Sequence, residues 1–140
     1  MDETTGRLEL LRRLTEAPGV SGAEMGFEGS VKQVLRRMLE PYCEVSSDRL
    51  GSLIARAPGG TESPRIMFPA HMDEIGFMVS AVTEKGFVKF VPMGGWWDQV
   101  LLGQRVRLIT QGGSVPGVIG SKPPHLLSPD DRKKLVEIKD

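Results

Sequence analysis

The stretch PAHMDEIGFMV, residues 69–79, decides how the chain divides. It places a histidine and an aspartate two positions apart, His71 and Asp73, between apolar runs of different character. Upstream, RIMFPAH (65–71) carries Ile66, Met67 and Phe68 in succession, the pattern of a strand buried on both faces of a sheet. Downstream, Ile75, Phe77, Val79 and Ala81 alternate with Gly76, Met78, Ser80 and Val82, the period of a strand. The carboxyl end of a buried strand is where α/β sheets collect ligands. On an extended chain, residues i and i+2 project to the same side. His71 and Asp73 can therefore address one site, with the imidazole as a metal ligand and the carboxylate holding its other ring nitrogen. The same residues also fit a loop histidine paired with a nearby carboxylate. Spacing alone favours that plainer alternative, because so short a pattern recurs by chance.

Before this stretch the sequence reads as helices and then strands. Leu8, Leu11 and Leu14 recur at helical spacing in GRLELLRRLTEAPG (6–19), and Pro18-Gly19 ends the helix. SGAE (21–24) offers Ser21 as an N-cap with Glu24 completing a capping box. Phe27, Val31, Val34, Leu35 and Met38 then line one helix face, with Lys32, Arg36 and Arg37 elsewhere, until Pro41. Both stripes are expected to be core. A turn at Leu50-Gly51 leads into a strand over 53–57, and GGTESP (59–64) is a polar loop. Helices followed by buried strands predict a layered α/β domain.

Beyond Asp73 the strands are closely spaced. Glu84-Lys85-Gly86 is a turn before a strand over 87–91, and Gly94-Gly95 breaks the run. Residues 104–110 alternate, Gln111-Gly112-Gly113 turns the chain, and 115–119 returns. This spacing predicts a small antiparallel barrel or sandwich, and a domain boundary near residue 74. SPDD (128–131) starts a helix with Ser128 as N-cap and Asp131 at the third position. LVEIKD (135–140) begins an alternating strand.

The 140 residues include 18 Lys+Arg and 18 Asp+Glu, so the formal net charge is zero. That gives no electrostatic case for nucleic acid or an anionic membrane. Hydrophobic residues, at 39%, suffice for a core. The lone Cys43 forms no internal disulfide and suits a reducing compartment. The polar start MDETTGR is unlike a signal peptide, and no apolar run approaches membrane-spanning length. A soluble, cytoplasmic protein is expected. Trp96-Trp97 is expected to pack a small domain or subunit interface, Met67, Met72, Met78 and Met93 to fill core, and Cys43 to carry no chemistry.

Six segments occur in a telling order: LTEAPGVSGAE (14–24), DRLGSLIA (48–55), AHMDEIGFMV (70–79), GFVKFVPMGGW (86–96), LLGQRVRL (101–108) and GVIGSKPPH (117–125). Together they resemble the glutamyl- and deblocking-aminopeptidase family, di-metal enzymes that form tetrahedral dodecamers and of which some are labelled cellulase or endoglucanase. The resemblance spans essentially the whole chain. It implies that His71 is a ligand to one of two divalent metals, zinc or cobalt, and that Asp73 is the catalytic aspartate that orients that histidine. His125, in SKPPH, is not a ligand in this resemblance. The implied fold is the N-terminal part of a metallopeptidase α/β sandwich (1–74), then an incomplete β-barrel-like, PDZ-like dimerisation insert (75–140).

The resemblance also implies a peptide substrate and a homo-oligomer. The family's other ligands and its general base match nothing here, so these residues are expected to be an N-terminal segment, inactive alone. A non-catalytic assembly module is the alternative, and a glycoside hydrolase is a weaker one. The latter needs two carboxylates flanking a sugar, and no motif favours such a pair.

Overall fold

The computed structural model describes residues 3–60 and 64–134. They fall into two compact units, Met1–Glu74 and Ile75–Asp140. Residues 61–63 of the GGTESP loop and the LVEIKD strand lie outside the described residues.

In the first unit, helix α1 covers Glu3–Glu16 and stops just before Pro18-Gly19, as the leucine spacing predicts. Its stripe is not core among the described residues, however: Leu8 and Leu11 are more than half exposed. Periodicity identifies the apolar face and says nothing about what covers it. The second helix, α2, is Val31–Leu39 with Ser30 as its N-cap, nine residues later than the Ser21 cap of the SGAE signal suggests. The intervening residues form turns, with Ala23 N–H donating to Val20 O at 2.8 Å and Gly26 N–H to Ala23 O at 3.3 Å. Gly22 and Gly29 both have positive φ, at 85° and 80°. A helix through Gly22, Gly26 and Gly29 would cost about 1 kcal/mol at each, and the turns win. The expected apolar face survives in part, with Val31 buried and Val34, Leu35 and Met38 half-buried.

Lys32, placed off the apolar face by the spacing, is nonetheless buried. It is only 2% exposed, and its ammonium donates to Gly51 O at 2.5 Å. That bond ties α2 to the turn between strands β1, Glu44–Ser47, and β2, Leu53–Arg56. The strands pair antiparallel, Glu44 opposite Arg56 and Ser47 opposite Leu53. The turn is held from within by Asp48, whose Oδ1 accepts from Leu50 N–H at 3.0 Å and Ser52 N–H at 2.8 Å. These donors, the Ser52 amide foremost, lower the Asp48 pKa. A lowered folded-state pKa means the contribution to stability is complete above the unfolded aspartate value of about 3.9 and is lost as pH falls through the folded value. Asp48→Ala is therefore expected to lower the urea midpoint at pH 7, and the gap from wild type should narrow below about pH 4. A gap that is constant with pH would show that the carboxylate charge does not hold the turn.

The expected strand at 65–68 is absent. Residues 65–73 form no strand and pair with none among the described residues, and Ile66, Met67 and Phe68 are 74%, 82% and 90% exposed. A strand buried on both faces needs neighbours on both sides, and the described residues supply none there. Only Glu74 enters a bridge, parallel to Val20.

The second unit is built from two antiparallel hairpins. Strand β3, Gly76–Val82, pairs with β4, Val88–Met93, and the register shifts between Val79 and Ala81. The turn between them uses Gly86 at φ 81°. Strand β5, Arg105–Thr110, pairs with β6, Gly113–Val118, through Gly113 at φ 117°. These are the strands the alternation predicts. Each has one partner among the described residues, so the hairpins remain separate two-stranded sheets and do not close into the expected barrel or sandwich. A barrel requires every strand to be paired on both edges.

Trp96 packs this unit as expected. Its ring stacks on Phe77 at 4.6 Å, and its indole N–H donates to Gly76 O at 2.9 Å. Trp97 is exposed, and so are Met67 and Met78 from the expected core methionines. The Ser128 signal gives a single 3-10 turn, Asp131–Lys133, in which Asp131 N–H donates to Ser128 Oγ at 3.1 Å.

Candidate metal-ligand site at His71

His71 stands in the irregular segment that leads to the Val20–Glu74 bridge. Its side chain is 86% exposed and that of Asp73 is 43% exposed. The i, i+2 geometry brings them together: Nδ1 lies 3.2 Å from Asp73 Oδ1 and 3.1 Å from the Asp73 backbone oxygen. Both facing atoms are acceptors only, so these contacts call for the tautomer with the proton on Nδ1. The other ring nitrogen, Nε2, is then left with its lone pair, the form in which a neutral imidazole binds a metal. A carboxylate behind the imidazole is the usual support of a ligating histidine.

The donor set stops there. A catalytic zinc takes about three protein ligands and a water. Among the described residues, no three His, Cys, Asp or Glu side chains come together as a metal site. His71 fits one ligand position, and these residues do not complete even one metal centre. His125 sits in a 3-10 turn, Pro124–Leu126, and is exposed. Cys43 is a free, half-buried thiol.

Sequence reasoning found the pair and overlooked Glu74 beside it. The Glu74 carboxylate accepts from Gly19 N–H at 3.0 Å, and its own N–H donates to Gly19 O at 2.9 Å. Gly19 admits this approach because it has no side chain: a Cβ there would lie 2.4 Å from Val31 Cγ1 and 3.4 Å from Met72 O.

The family described as M42 glutamyl aminopeptidase matches residues 51–140, and thus includes the His71 site. This chain belongs to that family. M42 proteins are aminopeptidases, metallo-hydrolases that need divalent metals. Among curated M42 proteins, the glutamyl aminopeptidase of Lactococcus lactis subsp. cremoris is 43% identical over 120 residues, 84% of this chain and 33% of that protein. The TET aminopeptidase of the marine sediment archaeon Thaumarchaeota archaeon SCGC AB-539-E09 is 46% identical, with a TM-score of 0.85 over 98% of this chain and 37% of that one. The Pyrococcus horikoshii TET1 peptidase, which can assemble into a tetrahedron or a large octahedral shell, is 35% identical, with a TM-score of 0.74 over 93% of this chain and 37% of its own. The chain thus spans about a third of the length of the M42 relatives it matches. No helix among its described residues is long and apolar enough to cross a membrane.

Proposed function

We propose that these 140 residues work as the N-terminal part of a two-metal, cytoplasmic M42 aminopeptidase that releases N-terminal residues from peptides. The observation that carries this reading is the His71 ring, held at Nδ1 by Asp73 with Nε2 left to coordinate. Zinc or cobalt would take Nε2, and the remaining ligands and the general base would come from residues beyond this set. When bound, a metal pair at such a site would supply polarisation of the peptide carbonyl and a water of lowered pKa. Asp73 fixes the ring's tautomer and raises its basicity as a ligand. The single cysteine suits a reducing compartment.

Residues 1–74 are read as the first part of the catalytic domain and 75–140 as part of a PDZ-like insert that joins copies. The apolar side chains of Val82, Phe87, Trp97 and Val118, all more than two-thirds exposed, support an assembly role. So does the shell formed by the TET1 peptidase. The aminopeptidase reading is preferred to a glycoside hydrolase because the family match includes the His71 site.

The test joins these 140 residues to the remaining two-thirds of the Lactococcus relative. His71→Ala in that chain is expected to lower metal content and abolish hydrolysis of aminoacyl-p-nitroanilides. Asp73→Asn should keep its metal and lose about 10–100-fold in turnover. Unchanged metal stoichiometry and rate in His71→Ala would reduce His71 to a structural role.

A further inference from the structure

The Asp73–Glu74 peptide links two sets of hydrogen bonds. At one end its carbonyl accepts from His71 Nδ1 at 3.1 Å. At the other its N–H donates to Gly19 O at 2.9 Å. A peptide unit is planar, with a barrier of about 18–20 kcal/mol to rotation. A plane tied at its N–H end is therefore also aimed at its C=O end. One bond leaves the plane free to pivot about it. The Glu74 side chain removes that freedom, because its Oε1 accepts from Gly19 N–H at 3.0 Å and grips the same glycine a second time.

The other half of the clamp is itself held. Val31 N–H, at the start of α2, donates to Pro18 O at 2.9 Å. Gly19 is buried, and a Cβ placed on it would lie 2.4 Å from Val31 Cγ1. The Pro18–Val20 segment thus has a fixed seat between α2 and residues 72–74.

From this geometry we infer that Glu74 is a positioning residue for His71, locking the Asp73–Glu74 peptide through Gly19 so that the Asp73 carbonyl and carboxylate both face Nδ1. The role is neutral in charge. It requires an acceptor at the reach of Oε1, so glutamine serves and an apolar isostere does not. The inference rests on the reading of His71 as a ligand through Nε2.

The experiment uses the 140-residue chain labelled with 15N. Long-range proton–nitrogen spectra are recorded near pH 8.5, about two units above the ordinary imidazole value of ~6.5. His125 is the internal control, and far-UV circular dichroism checks the fold of each variant. Wild type is expected to show His71 protonated at Nδ1. Glu74→Met should lose that signature, the proton moving to Nε2 as in free imidazole, and Glu74→Gln should retain it. If Glu74→Met loses the folded far-UV signal, Glu74→Asp takes its place, one methylene too short to reach Gly19 and expected to show the same loss.

A Glu74→Met ring that keeps the wild-type tautomer overturns the proposal, as does a Glu74→Gln ring that loses it. The Asp73→Ala variant separates this failure from failure of the ligand reading. Loss of the tautomer in Asp73→Ala but not in Glu74→Met leaves the His71–Asp73 pair standing and removes Glu74 from it. A wild-type His71 with its proton on Nε2 removes both.

Discussion

Zinc or cobalt added in excess to the purified 140-residue chain is expected to produce no aminopeptidase turnover above a metal-only blank. The reason is the number of donors. His71 offers one ring nitrogen, and the carboxylate of Asp73 is engaged behind that ring. No group of three metal-ligating side chains exists among the described residues, whereas one catalytic zinc takes about three protein ligands and a pair needs more. The assay is a panel of N-terminal amino-acid amides run with each metal. Turnover removed both by a chelator and by His71→Ala would show that these residues do assemble a working site. The proposal that the remaining ligands lie elsewhere would then be withdrawn.

The second large effect is on stability. Gly19→Ala places a methyl group 2.4 Å from Val31 Cγ1 and 3.1 Å from Val31 Cβ. Val31 is 5% exposed at the start of α2, and its N–H is bonded to Pro18 O. Neither side can yield cheaply, because the obstacle is a buried, branched side chain on a helix that is itself tethered. Overpacking of this kind costs roughly 1–3 kcal/mol. In a unit of about 74 residues each kcal/mol lowers the thermal midpoint by roughly 4–8 °C. Val31→Ala in the Gly19→Ala background should recover much of the loss, and the double-mutant cycle isolates the contact. A midpoint within 2 °C of wild type in Gly19→Ala (about 0.3–0.5 kcal/mol) would mean that the segment around Pro18 moves freely against α2.

Local chemistry made some of the fold legible. The turns at Gly86 and Gly113 were readable because both glycines occupy positive φ between alternating runs. The end of α1 was readable from Pro18-Gly19, and the His71–Asp73 contact from the pleat of an extended chain. What failed depended on distant partners. The Ile66–Met67–Phe68 run looks like an interior strand, yet nothing in the described residues covers it. Strand β1 went unread because EVSS is polar and is specified by its pairing with β2. The burial of Lys32 went unread because the Gly51 carbonyl it reaches lies 19 positions away. The early start expected for α2 shows a good capping box losing to three glycines. The barrel failed for the reason the interior strand did: alternation predicts that strands exist, not which edges meet.

The Gly19–Glu74 bonds join positions 55 apart in the chain. Closing so long a loop has an entropic cost, whereas the ring's own contacts lie within His71–Asp73. If Glu74 positions the ring as inferred, that order also depends on the Pro18–Val20 segment, which Val31 N–H at the start of α2 holds through Pro18 O. By linkage, any species that binds the held ring more tightly than the released one draws residues 1–74 toward the folded state. On the proposed reading of His71 as a ligand, metal binding and the folding of this unit are thus coupled in one equilibrium.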